Sequence, residues 1–235
     1  MSNMKEVIKK EYLKCAQDPV YFLKKYAVIQ HPIQGKIPFS LYEFQEKSLV
    51  DFNEHNYNVI LKARQLGIST LTAGYALWMM TFQSDKNILV IATKQDTAKN
   101  LVTKIRVMHA NLPSWVKSKC VEDNKLSLRY SNGSQVKAIA STDEAGRSEA
   151  LSLLIIDEAA FIDKIDTIWT AAQSTLATGG KCIALSTPNG VGNWFHKVWV
   201  EAEEESDWNF IRLHWSLHPD RDEEWREGQE KLLGP

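Results

Sequence analysis

Six almost wholly apolar residues ending in two acids constrain this chain more than any other feature: Leu151-Ser152-Leu153-Leu154-Ile155-Ile156-Asp157-Glu158. An apolar run of that length reads as a strand buried on both faces, as in parallel sheets. In open α/β sheets, ligands gather outside the carboxyl ends of the strands. This strand therefore delivers Asp157 and Glu158 to the edge where a ligand would bind. Placing them there without a nearby cation is costly. The simpler alternative is a strand that leaves the core through an acidic turn.

The flanking sequence alternates in the same manner. Strand-like Tyr57–Lys62 is followed by a glycine-bearing loop and an apolar helix, Thr70–Phe82. Asn87–Thr93 reads as a buried strand, and Ala98, Leu101, Val102, Ile105 and Met108 form the apolar stripe of the next helix. Leu126–Tyr130 and Gln135–Ala140 flank Ser131-Asn132-Gly133, a hairpin signal. Cys182–Ser186 is a further strand, with a turn at Pro188-Asn189-Gly190 and a helix through Asn193–Glu203. Upstream, Lys5–Gln17 is a helix, and Asp18-Pro19 opens another with Pro at its first position. His31–Pro38 is loop or extended, and Leu41, Phe44, Leu49 and Phe52 make Leu41–Asn53 an amphipathic helix. The expected fold is α/β, a mainly parallel sheet covered by helices on both faces, with the first 40 residues peripheral.

Composition sets limits. With 235 residues and 44% hydrophobic content the chain can bury one substantial core. No apolar stretch is long enough to span a bilayer, and the N-terminus lacks a signal peptide's apolar segment. Cys15, Cys120 and Cys182 are scattered and read as reduced thiols of a cytosolic protein. A net charge of −1 means that bulk electrostatics do not point to DNA. His214 and His218 have the spacing of a metal pair, but Pro219 and the strand-like Asn209–His214 argue against a helix, so no metal site is expected there. The eight tryptophans form no stripe and read as packing residues.

Lys62-Ala63-Arg64-Gln65-Leu66-Gly67-Ile68-Ser69-Thr70 sits where a strand turns into a helix. Backbone N–H groups and a helix N-terminus there can cradle a polyphosphate. Against the pattern G-x-x-x-x-G-K-[ST], Gly67 and Ser69 are in place, Ile68 occupies the lysine position and Lys62 the first glycine position. The missing charge would come from Lys62, folded over the loop to the β- and γ-phosphates, or from Arg64. Arg64 could instead act as an internal arginine finger. Ser69 would bind Mg²⁺ and Thr70 would contact the α-phosphate. Asp157 would hold the Mg²⁺ shell while Glu158 orients and deprotonates the attacking water. The plain alternative is a pair of surface cations beside a loop that binds no nucleotide.

Three further groups fit such a site. Ser186 and Thr187, at the end of a strand expected beside the Asp157 strand, would sense the γ-phosphate and relay its state. Tyr42 and Gln45 would stack on and hydrogen-bond to adenine. Arg147, between Gly146 and Ser148, would reach a neighbouring subunit's γ-phosphate as a finger in trans.

Together KARQLGIST (62–70), GRSEALSLLIIDEAAF (146–161) and STPNG (186–190) resemble the N-terminal ATPase domain of the large terminase subunit of tailed bacteriophages, the motor that pumps viral DNA into the procapsid. The resemblance runs from about Leu41 to about Pro219. It maps the family's adenine-binding glutamine to Gln45, its phosphate loop to Lys62–Thr70, its Mg²⁺ aspartate and catalytic glutamate to Asp157 and Glu158, its coupling motif to Ser186-Thr187 and its trans arginine to Arg147. Some members share a lysine moved to the start of the loop, which suits Lys62.

The resemblance implies a P-loop NTPase of the ASCE/RecA-like type. Residues 1–40 would be an N-terminal helical extension, 41–191 the ATPase core, and 192–235 a small C-terminal lid subdomain and linker. It implies ATP and Mg²⁺ as cofactors, and double-stranded DNA, the portal protein and the small terminase subunit as partners. A homo-oligomeric ring is expected in the motor, with the isolated domain compatible with a monomer. The location would be the host cytoplasm and, transiently, the procapsid portal, with no membrane. Full-length members continue into a nuclease domain, and this chain ends at Pro235, so no DNA cleavage is expected. The rivals are a superfamily 2 helicase-like translocase, which would need a second RecA-like domain, and a degenerate P-loop scaffold, for which Ile68 speaks.

Overall fold

The computed structural model describes residues 2–141, 150–204 and 206–233. In chain order the elements begin with α1 (Ser2–Gln17), α2 (Pro19–Tyr26), β1 (Val28–His31), β2 (Gly35–Pro38), α3 (Glu43–Glu54), β3 (Tyr57–Lys62) and α4 (Ile68–Phe82). Next come β4 (Asn87–Ala92), α5 (Gln95–Ala110), β5 (Cys120–Asn124), β6 (Ser127–Tyr130), β7 (Gln135–Ala140) and β8 (Leu153–Asp157). The chain continues with α6 (Ile165–Leu176), β9 (Lys181–Ser186), α7 (Trp194–Glu204), β10 (Trp208–Leu213) and α8 (Glu223–Leu233).

Eight strands form one sheet in the order β10-β3-β9-β8-β4-β7-β6-β5. The strands from β10 to β7 run parallel, and β6 and β5 close the far edge as antiparallel additions. The two-residue period of the central strands separates two cores. Ile60, Ile88, Val90, Leu153, Ile155, Ile183 and Leu185 point into the core that α1–α5 complete. Val59, Leu89, Ile91, Leu154, Ile156, Cys182 and Ala184 point into the one that α6 and α7 cover. By the same parity, Lys62 and Asp157 emerge on the α4 face of their strand ends. Helix α4 is the central helix: every residue from Leu71 to Thr81 is buried, so it lacks the polar face of a surface helix.

The N-terminal 40 residues are not peripheral. Cys15, Phe22, Leu23, Ala27 and Phe39 are part of the main core, Trp78 Nε1 donates to the Cys15 carbonyl at 2.9 Å, and Phe22 meets Phe82 edge-on. Helix α2 starts as its sequence dictates, with Asp18 accepting from the Tyr21 N–H at 2.9 Å and Pro19 following. The segment expected to be loop or extended at His31–Pro38 is half of an antiparallel hairpin, β1–β2. Strand β5 and helix α6 escaped the sequence reading. The first has a largely exposed sequence with no alternation, and the second mixes Thr, Ala and Gln among few large apolar residues.

Of the stretch 192–235, expected as a lid subdomain, Trp208–Leu213 is a strand of the main sheet. Strand β10 pairs in parallel with β3 along its whole length, from Trp208 against Tyr57 to Leu213 against Lys62. Helix α7 packs on β10 and β3 through Trp194, Phe195 and Val198 in the second core. Tertiary pairing with β3 makes Trp208–Leu213 part of the sheet, a contact that local pattern does not encode. Several tryptophans do serve packing: Trp169 and Trp208 meet Tyr57, and Trp194 packs against both tryptophans. No helix among the described residues is long and apolar enough to cross a membrane.

The N-terminal helices are tied together by Glu11, which accepts from Lys25 Nζ, Tyr26 Oη and Tyr21 Oη at 2.8, 2.6 and 2.7 Å. These bonds, that from Lys25 foremost, hold its carboxyl at about 2. A carboxyl depressed by folding stabilises the fold above its unfolded pKa and loses that contribution as pH falls through the folded value. In thermal melts, wild type should exceed Glu11→Gln at pH 7, and the gap should close between about pH 4.5 and about pH 2. A gap constant over that range would contradict the assignment.

Candidate active site

The outer end of β3 turns into α4 through the loop Ala63–Gly67. Gly67 takes φ 74° and ψ 8° at the N-cap of α4. The positive φ favours glycine, and a Cβ there would lie 2.7 Å from Gln45 Nε2, so that any other residue would displace the Gln45 carboxamide. Gln45 locks the loop from outside: its Nε2 donates to the Leu66 carbonyl at 2.9 Å, and its Oε1 accepts from the Tyr42 N–H at 3.1 Å. Gln45 is 2% exposed. The structure thus uses both ends of Gln45 to hold backbone, where sequence reasoning assigned it to adenine. Tyr42 lies outside, stacked on Phe44 and tilted against His218, with its Oη 3.4 Å from His218 Nε2.

Ser69 and Asp157 are 88 residues apart in sequence; the sheet brings the loop and the acidic strand together with β9 between. Leu61 lies beside Ser186, and Leu185 beside Asp157, so the three strand ends are level. Ser69 Oγ is 3.4 Å from Asp157 Oδ1. Lys62 Nζ forms an ion pair with Glu158 Oε1 at 2.9 Å, the lysine side chain being 8% exposed and the glutamate's 31%. Thr187 Oγ1 donates to the other oxygen of Glu158 at 3.4 Å. Ser186 is buried and its Oγ accepts from the Ala160 N–H at 3.1 Å. The hydroxyls expected to read the site therefore touch Glu158 and the turn that follows it.

That turn is strained. Glu158 has φ 55°, and Gln65 in the loop has φ 60°, two of the three non-glycine residues with positive φ among those described. Such positions cost about 1–3 kcal/mol each and persist where the surroundings over-determine them. Here β8, the Asp157 carboxylate accepting from the Glu158 N–H at 3.0 Å, and the Lys62 pair fix the turn.

Burial raises the pKa of Asp157, opposed by the charge of Lys62 and by hydrogen bonds from Ser69 and the Glu158 N–H, with Glu158 adding to the rise. Its donor partners are oxygens and N–H groups, and with Ser69 it offers the hard oxygen ligands that Mg²⁺ takes.

The remaining loop residues divide. Ile68 is 1% exposed and packs in the main core, so the position that carries lysine in the usual pattern contributes no charge. Ala63 continues the ladder by donating to the Leu213 carbonyl at 2.9 Å. The Arg64 carbonyl accepts from Arg221 Nη1 at 3.0 Å, which ties the C-terminal segment to the loop. Thr70 Oγ1 accepts from Lys104 Nζ at 2.9 Å. Arg147 lies outside the described residues. Lys104, Arg221 and His218 were not assigned to the site from sequence. Lys104 falls beside the apolar stripe of α5 and carries no motif, and the other two come from the segment that β10 returns to the loop. His214 Nδ1 lies 2.8 Å from Ser216 Oγ, and no cluster of metal-binding type occurs among the described residues.

A parallel sheet with a loop and an acidic strand end brought together across an intervening strand defines an α/β domain of the P-loop type. The chain belongs to the family described as terminase large subunit, T4likevirus-type, N-terminal, whose family model matches residues 59–234. Among solved structures, the large terminase ATPase domain of Thermus phage P74-26 has a TM-score of 0.66 at 20% identity, covering 83% of this chain and 90% of that one. The HK97 bacteriophage large terminase has a TM-score of 0.66 at 19% identity, covering 93% and 48%. The large terminase of the thermophilic bacteriophage D6E in complex with ADP has a TM-score of 0.67 at 12% identity, covering 83% and 51%. The chain spans about half the length of these last two chains. At such identities the likeness is one of fold.

A raised carboxyl pKa means that the ionised form costs stability at neutral pH and the protonated form does not. Asp157→Asn should therefore raise the thermal midpoint of the ligand-free domain at pH 7. For a domain of this size each kcal/mol is worth about 2–4 °C. A lower midpoint would show that the carboxylate's partners outweigh its desolvation.

Proposed function

We propose that this domain hydrolyses ATP with Mg²⁺ and that the hydrolysis drives double-stranded DNA into a procapsid. The observation that carries the reading is the convergence of Ser69, Asp157, Lys62 and Glu158 at level strand ends. Family membership and the ADP named in the D6E structure favour a nucleotide as the ligand. Ser69 and Asp157 would hold Mg²⁺, which supplies charge neutralisation to the phosphates. Lys62 turns from Glu158 to the β- and γ-phosphates, and Arg64 reaches the γ-phosphate. The carboxylate so released orients the attacking water and takes its proton.

Thr187, hydrogen-bonded to Glu158, and Ser186, bonded to the turn after it, would pass the state of the γ-phosphate to the chain beyond β9. Tyr42 and His218 form the aromatic surface on which adenine would lie. In a ring of subunits, Arg147 of a neighbour would complete the γ-phosphate shell. The portal protein and the small terminase subunit are the partners, and the host cytoplasm the location, that this reading entails. Ile68 favours the second reading, a module that binds nucleotide weakly and does not turn it over.

Glu158→Ala should lower Mg²⁺-ATP turnover by about 10²–10⁴-fold. It should leave ATPγS binding, followed by calorimetry, in place. Turnover at the wild-type rate in that variant removes Glu158 as the base. Wild type that binds ATPγS but releases no phosphate, alone or with DNA, favours the second reading.

A further inference from the structure

Ile68 leaves the phosphate loop one positive charge short, and the packing of α5 on α4 supplies a charge from outside the loop. Lys104, half-buried on α5, donates from Nζ to Thr70 Oγ1 at 2.9 Å. Thr70 lies in the first turn of α4, where free N–H groups already concentrate positive charge. No carboxylate among the described residues forms an ion pair with Lys104; the charge of Asp157 acts on it only from farther away. Burial lowers the pKa of the ammonium, with Asp157 opposing. A half-buried cation with no ion-pair partner among the described residues, at the positive end of a helix, is placed to gain from an anion that joins it.

The bond to Thr70 has a chemical consequence. A hydroxyl has one proton to donate. With Thr70 Oγ1 accepting from Lys104, that proton is directed to another acceptor, which suits an anionic oxygen. In the reading above, Lys62, paired here with Glu158, and Arg64, held at its carbonyl by Arg221, serve the β- and γ-phosphates, which leaves the α-phosphate beside Thr70 to another cation. Resting on the nucleotide-site reading above, we propose that Lys104 is a phosphate-binding residue of this domain. It takes the α-phosphate beside Thr70, the group that nucleoside di- and triphosphates share.

Calorimetry with Mg²⁺-ADP and Mg²⁺-ATPγS on wild type, Lys104→Met and Lys104→Arg tests this. Loss of one charge-assisted hydrogen bond should weaken both ligands together by about tenfold or more. Lys104→Arg should recover most of the loss. Ligand-free Lys104→Met should melt at or above the wild-type temperature, while its ADP-induced rise shrinks. A merely structural lysine would instead lower the ligand-free midpoint and leave ADP affinity alone. That pattern, wild-type ADP affinity in Lys104→Met, or its failure to fold overturns the assignment. If wild type binds neither ligand, the nucleotide-site reading itself fails and this assignment with it; if wild type binds and Lys104→Met binds equally, only Lys104 is removed.

Discussion

A carboxylate at the end of a strand buried on both faces must find positive charge or donors, and in this domain the arrangement around Asp157 meets that need only in part. The Ser69 hydroxyl and the Glu158 N–H reach it, and Lys62 lies near, yet burial still raises its pKa. The ends of β3, β9 and β8, the turn at Glu158 and the first turn of α4 are all arranged around this one incompletely compensated group. Buried carboxylates with perturbed pKa values cluster at functional sites.

Topology decides which groups can share that space. Strand β9 separates β3 from β8, so Lys62 must reach across it to Glu158, and Thr187, on the chain leaving β9, holds the other oxygen of that carboxylate. A group that changes the partner of Lys62 thereby changes what Glu158 and Thr187 contact. The positive φ of Glu158 makes this turn a point where stored strain and altered hydrogen bonding meet. The loop opposite is held less by its own residues than by its surroundings, with Gln45 bonded to Leu66 on one side and Arg221 bonded to Arg64 on the other.

Central strands were legible because their burial on both faces leaves a continuous apolar run; β3 spans the same residues in sequence and in structure, and β4 and β9 differ by one residue at an end. Strand β5 was not, since an exposed edge strand need carry no pattern. The N-terminal segment looked peripheral because α1 is rich in charged residues, yet large residues of α2 such as Phe22 and Leu23 join the main core. The C-terminal segment looked separable because nothing local in Trp208–Leu213 states that its neighbour is Tyr57–Lys62.

Residue chemistry along the chain was enough to single out the glycine-bearing loop at 62–70, the acidic pair Asp157-Glu158 and the hydroxyls of Ser186 and Thr187. Each is a short motif at a strand end, and periodicity locates strand ends. The partners of those residues came only with the folded structure: Lys62 with Glu158, Gln45 with Leu66, Lys104 with Thr70, Arg221 with Arg64. Side chains on different elements meet according to strand order and helix packing, which long-range burial decides and no local spacing records.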